Sequence, residues 1–195
     1  GRIAPEKNLE FLLQAFAGVS RAVPNTKLLI VGGGQKEHEE GIKDFANEIG
    51  LDDCVKFTGA VAYAKLPSYL SMCDIFATAS VTEVHPFSVI EGMATGLPIL
   101  GIDSPGISDS ISDGETGLLS ADDLASYTAK LTTLCLNKDL QKKMGAAAQQ
   151  ASRQFSIENT TTIMLGHYNR LVSNTKPVKP SIEERLRSVL KEFLV

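Results

Sequence analysis

Two carboxylates, Glu83 and Glu91, flank the start of one candidate helix in Ser80-Val-Thr-Glu83-Val-His-Pro86-Phe-Ser-Val-Ile-Glu91-Gly-Met-Ala-Thr-Gly96-Leu-Pro98. Pro86 suits the first helical position, where a missing N–H costs nothing, and Gly96 suits the stop. Such a helix would place Phe87, Ile90 and Ala94 on the core side, Glu91 about one turn in, and Glu83 in the loop ahead. Its open N–H groups, those of Phe87, Ser88 and Val89, attract an anion, and the two acids can accept hydrogen bonds from hydroxyls. A nucleotide sugar offers a diphosphate and hydroxyls together. The opening stretch Gly1-Arg2-Ile-Ala-Pro-Glu6-Lys7-Asn8 adds two cations, Arg2 and Lys7, near the start of another helix. A first-turn lysine opposes the helix dipole, so Lys7 answers to something other than helix stability.

Transfer of a sugar from a nucleotide builds charge on the departing diphosphate, which must be neutralised by a metal or by fixed donors. The chain has no Asp-x-Asp, only Asp113-x-Glu115 in a turn, so no metal is expected and Arg2, Lys7 and the helix start are the candidate donors. His85 lies beside Glu83 and reads as an orienting group rather than a general base.

These residues need a frame. Leu9, Leu12, Leu13, Phe16 and Val19 recur at helical spacing, and Pro24-Asn25 ends that helix before a strand over Lys27–Val31. Gly32-Gly33-Gly34 then leads into a helix near 36–49. Strands over Cys54–Thr58, Ile75–Ala79 and Pro98–Ile102 follow, with a short helix over Leu66–Met72 between the first two. Strict alternation predicts an α/β, Rossmann-like parallel sheet with helices on both faces, and ligands bind such sheets at the carboxyl ends of the strands. Beyond Asp103 the pattern turns helical: Ser112–Gly117 reads as a turn, and 121–137, 138–154 and 157–172 read as helices packed on one flank. The domain is read as 1–173, followed by a linker over 174–180 and an amphipathic helix over 181–195 that carries Ile182, Leu186, Val189, Leu190 and Phe193.

Gly-Arg-x-x-x-Glu-Lys-Asn at 1–8, Glu-x7-Glu at 83–91 and Met-Ala-x-Gly-x-Pro at 93–98 resemble the C-terminal, donor-binding half of retaining glycosyltransferases of the GT-B fold, the group 1 or family 4 type. Gly106 and Asp113-Gly-x-x-Gly117-Leu match the same pattern, and the likeness covers about residues 1–170. It implies that Arg2 and Lys7 hold the diphosphate, Glu91 the ribose hydroxyls and Glu83 a hydroxyl of the donor sugar. Gly59 and Val61 would meet the base through their backbone. Gly32 and Gly33 would either approach the nucleotide or merely shape a turn. Retention in this family is explained by front-face attack, in which a diphosphate oxygen takes the acceptor's proton. The resemblance also implies that a first strand and an N-terminal acceptor domain lie outside this chain. Where many members carry Phe-Gly after the first glutamate, this chain has His85-Pro86, which bears on donor-sugar preference.

Composition narrows the rest. A chain of 195 residues with 43% apolar residues suits one domain with an appendage. A net charge of −4 without a basic run argues against nucleic acid as a partner. Cys54, Cys73 and Cys135 are odd in number and widely spaced, with no metal-binding pattern, and fit a reducing cytoplasm. The expected partner is a UDP- or GDP-linked sugar, with no cofactor. The final helix is read as docking on the missing half, with membrane contact as the alternative. Two other functions share these features: a sugar-nucleotide epimerase of similar architecture, and a non-catalytic nucleotide-sugar-binding module.

Overall fold

The computed structural model describes residues 1–174. The chain opens with a 3-10 turn, Pro5–Lys7, and then α1, Leu9–Ala22. Asn8 separates them at φ 50°, a left-handed conformation that asparagine tolerates, so the helix expected near Lys7 is two pieces with Lys7 held just ahead of α1. α1 buries Leu12, Leu13, Phe16 and Val19 of the anticipated stripe, and Leu9 packs partly buried against them.

There follow β1 (Leu28–Ile30), α2 (Lys36–Glu48), β2 (Val55–Phe57), a 3-10 turn (Tyr63–Lys65), α3 (Leu66–Leu70), β3 (Phe76–Ala77), α4 (Phe87–Ala94), β4 (Ile99–Ile102), α5 (Ile107–Ser110) and β5 (Gly117–Ser120). Helices α6 (Leu124–Leu136), α7 (Lys138–Ser152) and α8 (Ile157–Asn174) complete the described chain. All strand pairs are parallel, as alternation requires. Leu28 lies opposite Val55, and Ile99 lies between Phe76 and Gly117. The strands nevertheless form two sheets, β1-β2 and β3-β4-β5. The edges of β1 and β3 line one cavity of about 620 Å³, which also receives Leu12, Phe16 and Leu70.

All four residues of β4 are buried, which is the signature of a parallel strand covered on both faces. Ile99 joins a core with Val89, Met93, Ile107 and Ala148, whereas Leu100 and Ile102 join the larger core of Leu13, Phe16, Tyr127 and Leu131.

Three expectations change here. β5 emerges where a turn and then helices were read. The two leucines Leu118 and Leu119 carry too little pattern to announce a strand, and pairing with β4 is what makes them one. α6 and α7 do not share one flank: α6 packs on α1, and α7 packs on α4 and sends Ala148 into the smaller core. On α4 the buried residues are Val89, Gly92 and Met93, while Phe87 is 68% exposed and Ala94 is exposed. The helix begins one residue later than anticipated, and its buried face is the one that meets the sheet: Val89 and Met93 pack with Ile99 and Ile107, and Gly92 lies against the Phe76 ring.

Residues Gly1–Gln154 form one compact unit, and α8 belongs to a second that starts at Phe155. Asn174, first in the proposed linker, ends α8; the rest of that linker and the helix read over 181–195 lie outside the described residues. Among the described residues, no helix is long and apolar enough to cross a membrane.

One buried hydrogen bond ties this core to the carboxyl end of β3. Tyr127 is fully buried on α6 and donates its O–H to the Thr78 carbonyl at 3.0 Å, and burial drives its phenol pKa far up, so it stays a neutral donor. Tyr127→Phe keeps the ring and strands that carbonyl, so urea unfolding should show a loss of about 1–2 kcal/mol. An unchanged midpoint would mean that the hydroxyl carries no stability.

Candidate functional site

Glu83 sits in the loop between β3 and α4, and two contacts from the loop after β4 fix its backbone. Ser104, buried, donates its hydroxyl to the Ser80 carbonyl at 3.3 Å. Gly106, at φ 80°, lies so close that a Cβ there would stand 2.2 Å from the Glu83 carbonyl oxygen. Only glycine combines that backbone conformation with that approach.

Held in this way, the Glu83 carboxylate forms an ion pair with Lys7 Nζ. Both side chains are largely buried, at 15% and 23% exposure. The two ends of the sequence pattern, 76 residues apart, therefore meet in one contact. Arg2 takes a different place: its guanidinium pairs with Glu6 at 3.0 Å and is 80% exposed. Arg2, Lys7, Ser88 and Glu91 all line the cavity between β1 and β3. The anticipated pair of cations is present at that cavity, each already engaged with a carboxylate.

Pro86 caps α4 instead of opening it. With ψ at 78° it leaves the helical region, and its carbonyl accepts from the N–H groups of Val89, at 2.9 Å, and Ile90. The Phe87 N–H goes to the His85 carbonyl at 2.9 Å. Of the three amides anticipated as the anion-binding tip, two are thus used by the turn itself. Ser88 is the one with no protein acceptor among the described residues. The His85 ring stands edge-on to Phe87, 4.7 Å between centroids, at the exposed start of the helix.

Glu91 lies three residues beyond Ser88 on α4, half-buried, so that both face the same cavity. Its Oε1 accepts a hydrogen bond from the Tyr63 hydroxyl at 2.9 Å. Tyr63 was not singled out by sequence reasoning; the one available signal was its position just after the Gly59-Ala-Val61 loop. That loop is reached through Gly59, at φ 64°, whose carbonyl accepts from the Gly32 N–H at 3.2 Å. Val61 is half-buried beside it.

The triple glycine is explained by packing. A Cβ on Gly32 would stand 1.7 Å from the Gly1 carbonyl oxygen. The Gly34 amide is taken internally by Glu39 Oε2 at 3.2 Å, while Lys43 bonds the other oxygen at 2.7 Å. The Lys43 ammonium, followed by the Gly34 amide, holds the Glu39 carboxyl below its usual range. Cys54, Cys73 and Cys135 are free thiols.

This geometry coincides with a known family. Residues 1–151 match the family described as glycosyl transferases group 1, and the chain belongs to it. A GDP-mannose-dependent alpha-(1-6)-phosphatidylinositol monomannoside mannosyltransferase of Mycobacterium tuberculosis is 31% identical over 160 residues, covering 76% of this chain and 40% of the relative. An alpha-monoglucosyldiacylglycerol synthase of Streptococcus pneumoniae is 32% identical, covering 60% of this chain and 26% of the relative. The chain thus spans about 40% of the length of the curated relative first described. Among solved structures, sucrose-phosphate synthase from Thermosynechococcus elongatus superimposes with a TM-score of 0.80 at 24% identity, over 90% of this chain and 45% of that one. HepE of Anabaena, solved with UDP and glucose, gives 0.76 at 22% identity, over 89% and 47%. These likenesses establish the fold as the corresponding half of a GT-B glycosyltransferase.

The Lys7–Glu83 contact can be isolated by a double-mutant cycle. Lys7→Ala should lower stability by about 1–3 kcal/mol, because it leaves a largely buried carboxylate unpaired. Adding Glu83→Gln should recover part of that loss, as urea unfolding of all four proteins would show. Simple additivity would mean that the pair contributes nothing.

Proposed function

We propose that this chain is the donor-binding half of a retaining glycosyltransferase that takes a nucleoside-diphosphate sugar and transfers its sugar, without a divalent metal, to an acceptor held by a domain outside this chain. The observation that carries the reading is the convergence of Lys7, Glu83, Ser88 and Glu91 at the start of α4. An ammonium, an amide with no protein acceptor among the described residues and two carboxylates meet there at the carboxyl end of the parallel strands, the position that ligands take in such sheets.

In this reading the diphosphate lies against the Ser88 amide, with Lys7 dividing its protons between Glu83 and a phosphate oxygen. Arg2, exposed on a mobile-length side chain, swings from Glu6 to the phosphate. These groups oppose the charge that grows on the diphosphate as the glycosidic bond breaks, which is where fixed donors lower the barrier. Each charge-assisted hydrogen bond is worth about 1.5–3 kcal/mol, or roughly one to two orders of magnitude in rate. Glu91 accepts from the ribose hydroxyls, and Glu83 holds a hydroxyl of the sugar and so orients the anomeric carbon. Gly59 and Val61 offer backbone to the base, and Pro86, Phe87 and Val89 shape the turn that presents the Ser88 amide. The acceptor's proton passes to the departing diphosphate oxygen, so no base is required from this half.

Support for the donor class comes from the relatives, one described as GDP-mannose-dependent and one solved with UDP. Membership of a glycosyl transferase family favours transfer over epimerisation. The three free thiols favour a cytoplasmic location.

The experiment is a thermal-shift panel in EDTA. A UDP- or GDP-sugar at a hundred times its Kd adds about 2.7 kcal/mol and should raise the Tm by several degrees. Lys7→Ala or Arg2→Ala should remove most of the shift. A shift that appears only with magnesium would overturn the metal-free reading, and no shift with any nucleotide sugar would overturn the donor site.

A further inference from the structure

Tyr63 has no packing reason to stand where it does. Its side chain is 77% exposed, in a 3-10 turn that no buried residue holds, yet its hydroxyl reaches across 28 residues of sequence to Glu91 Oε1 at 2.9 Å. The contact joins the turn that continues the Gly59 loop to the second turn of α4. Glu91 also differs from the other acid. Lys7 pairs with the Glu83 carboxylate, whereas Glu91 accepts a hydrogen bond from the Tyr63 hydroxyl.

We propose that Tyr63 is a positioning residue for ribose recognition: its hydroxyl pins one oxygen of the Glu91 carboxylate, so that the other is presented to the hydroxyls of a bound nucleotide. The inference rests on the donor-binding reading of Glu91 and extends it to a residue outside the sequence motifs. A glutamate on a helix surface samples several rotamers and must surrender them when it grips a ligand. A carboxylate oxygen can accept more than one hydrogen bond, so the phenol need not leave when the ribose arrives. The same bond sets the distance between the loop that would meet the base and the acid that would meet the ribose, which fixes the spacing of a nucleoside. Glu91 in turn acts on the phenol, its hydrogen bond and charge holding the Tyr63 pKa above the ordinary value.

The test compares UDP and GDP with their 2′,3′-dideoxy counterparts by calorimetry, on the full chain and on Tyr63→Phe, Tyr63→Ala and Glu91→Gln. The unmodified chain should prefer each ribonucleotide, and Glu91→Gln should abolish the preference. Tyr63→Phe should narrow it at least threefold while leaving dideoxynucleotide affinity unchanged, with Tyr63→Ala doing at least as much. Equal loss for both ligands in Tyr63→Phe would mark a merely structural role, and an unaltered preference would also overturn the proposal. If Glu91→Gln leaves the preference intact, the ribose role of Glu91 fails and the Tyr63 proposal falls with it. A collapsed preference in Glu91→Gln beside an intact one in Tyr63→Phe sinks only the proposal. A ligand-free check follows the difference in phenolate absorbance between the chain and Tyr63→Phe. One tyrosine should ionise above the ordinary range and return to it in Glu91→Gln; its failure to return would contradict the contact.

Discussion

The site depends on one ion pair. Lys7 stands in the short segment ahead of α1, and Glu83 stands in the loop ahead of α4. Neither segment has regular structure long enough to hold itself. Their charges are mostly withdrawn from water, so each would be costly alone and their separation is strongly opposed. The pair therefore places an ammonium beside the start of α4 before any ligand arrives. In the donor-binding role proposed for this site, such preorganisation would count in catalysis, since donors that must be assembled during the reaction lose most of their effect.

Supporting contacts carry that placement back into the core. Tyr127 holds the end of β3 through Thr78, Ser104 holds Ser80, and Gly106 lets the loop after β4 press on the Glu83 backbone. The two cores on either face of β4 keep these loops at a common level, because β4 is buried along its whole length. At the tip of α4 the Phe87 and Val89 amides are used in an internal turn, and the Ser88 amide has no protein acceptor among the described residues. Glycines serve the same end at Gly32, where the backbone of the opening segment lies too close for any side chain.

Much of this was legible in the residues. The α1 stripe and the apolar run of β4 announced an alternating α/β domain, and the spacing of Glu83 and Glu91 placed both carboxylates near the start of α4. The illegible parts have physical causes. β5 is made by its neighbour more than by its own residues. The buried face of α4 is set by tertiary packing on β3 and β4, with Gly92 against Phe76 and Val89 and Met93 against Ile99, which eight residues of local pattern do not encode. The partners of Lys7 and Glu91 are contacts across 76 and 28 residues, which local periodicity does not encode. The triple glycine left open an approach to the nucleotide or a turn, and what shapes the loop is contact with distant residues: Gly32 lies against the Gly1 backbone and the Gly34 amide bonds Glu39.

The most direct measurement of the central claim is a crystal structure of the chain soaked with UDP in the presence of EDTA. The account places a diphosphate oxygen within hydrogen-bonding distance of both the Lys7 ammonium and the Ser88 amide, with Lys7 still touching Glu83. A diphosphate bound at the Gly32–Gly34 loop instead, or one that leaves Lys7 wholly on Glu83 without contacting it, would contradict the account.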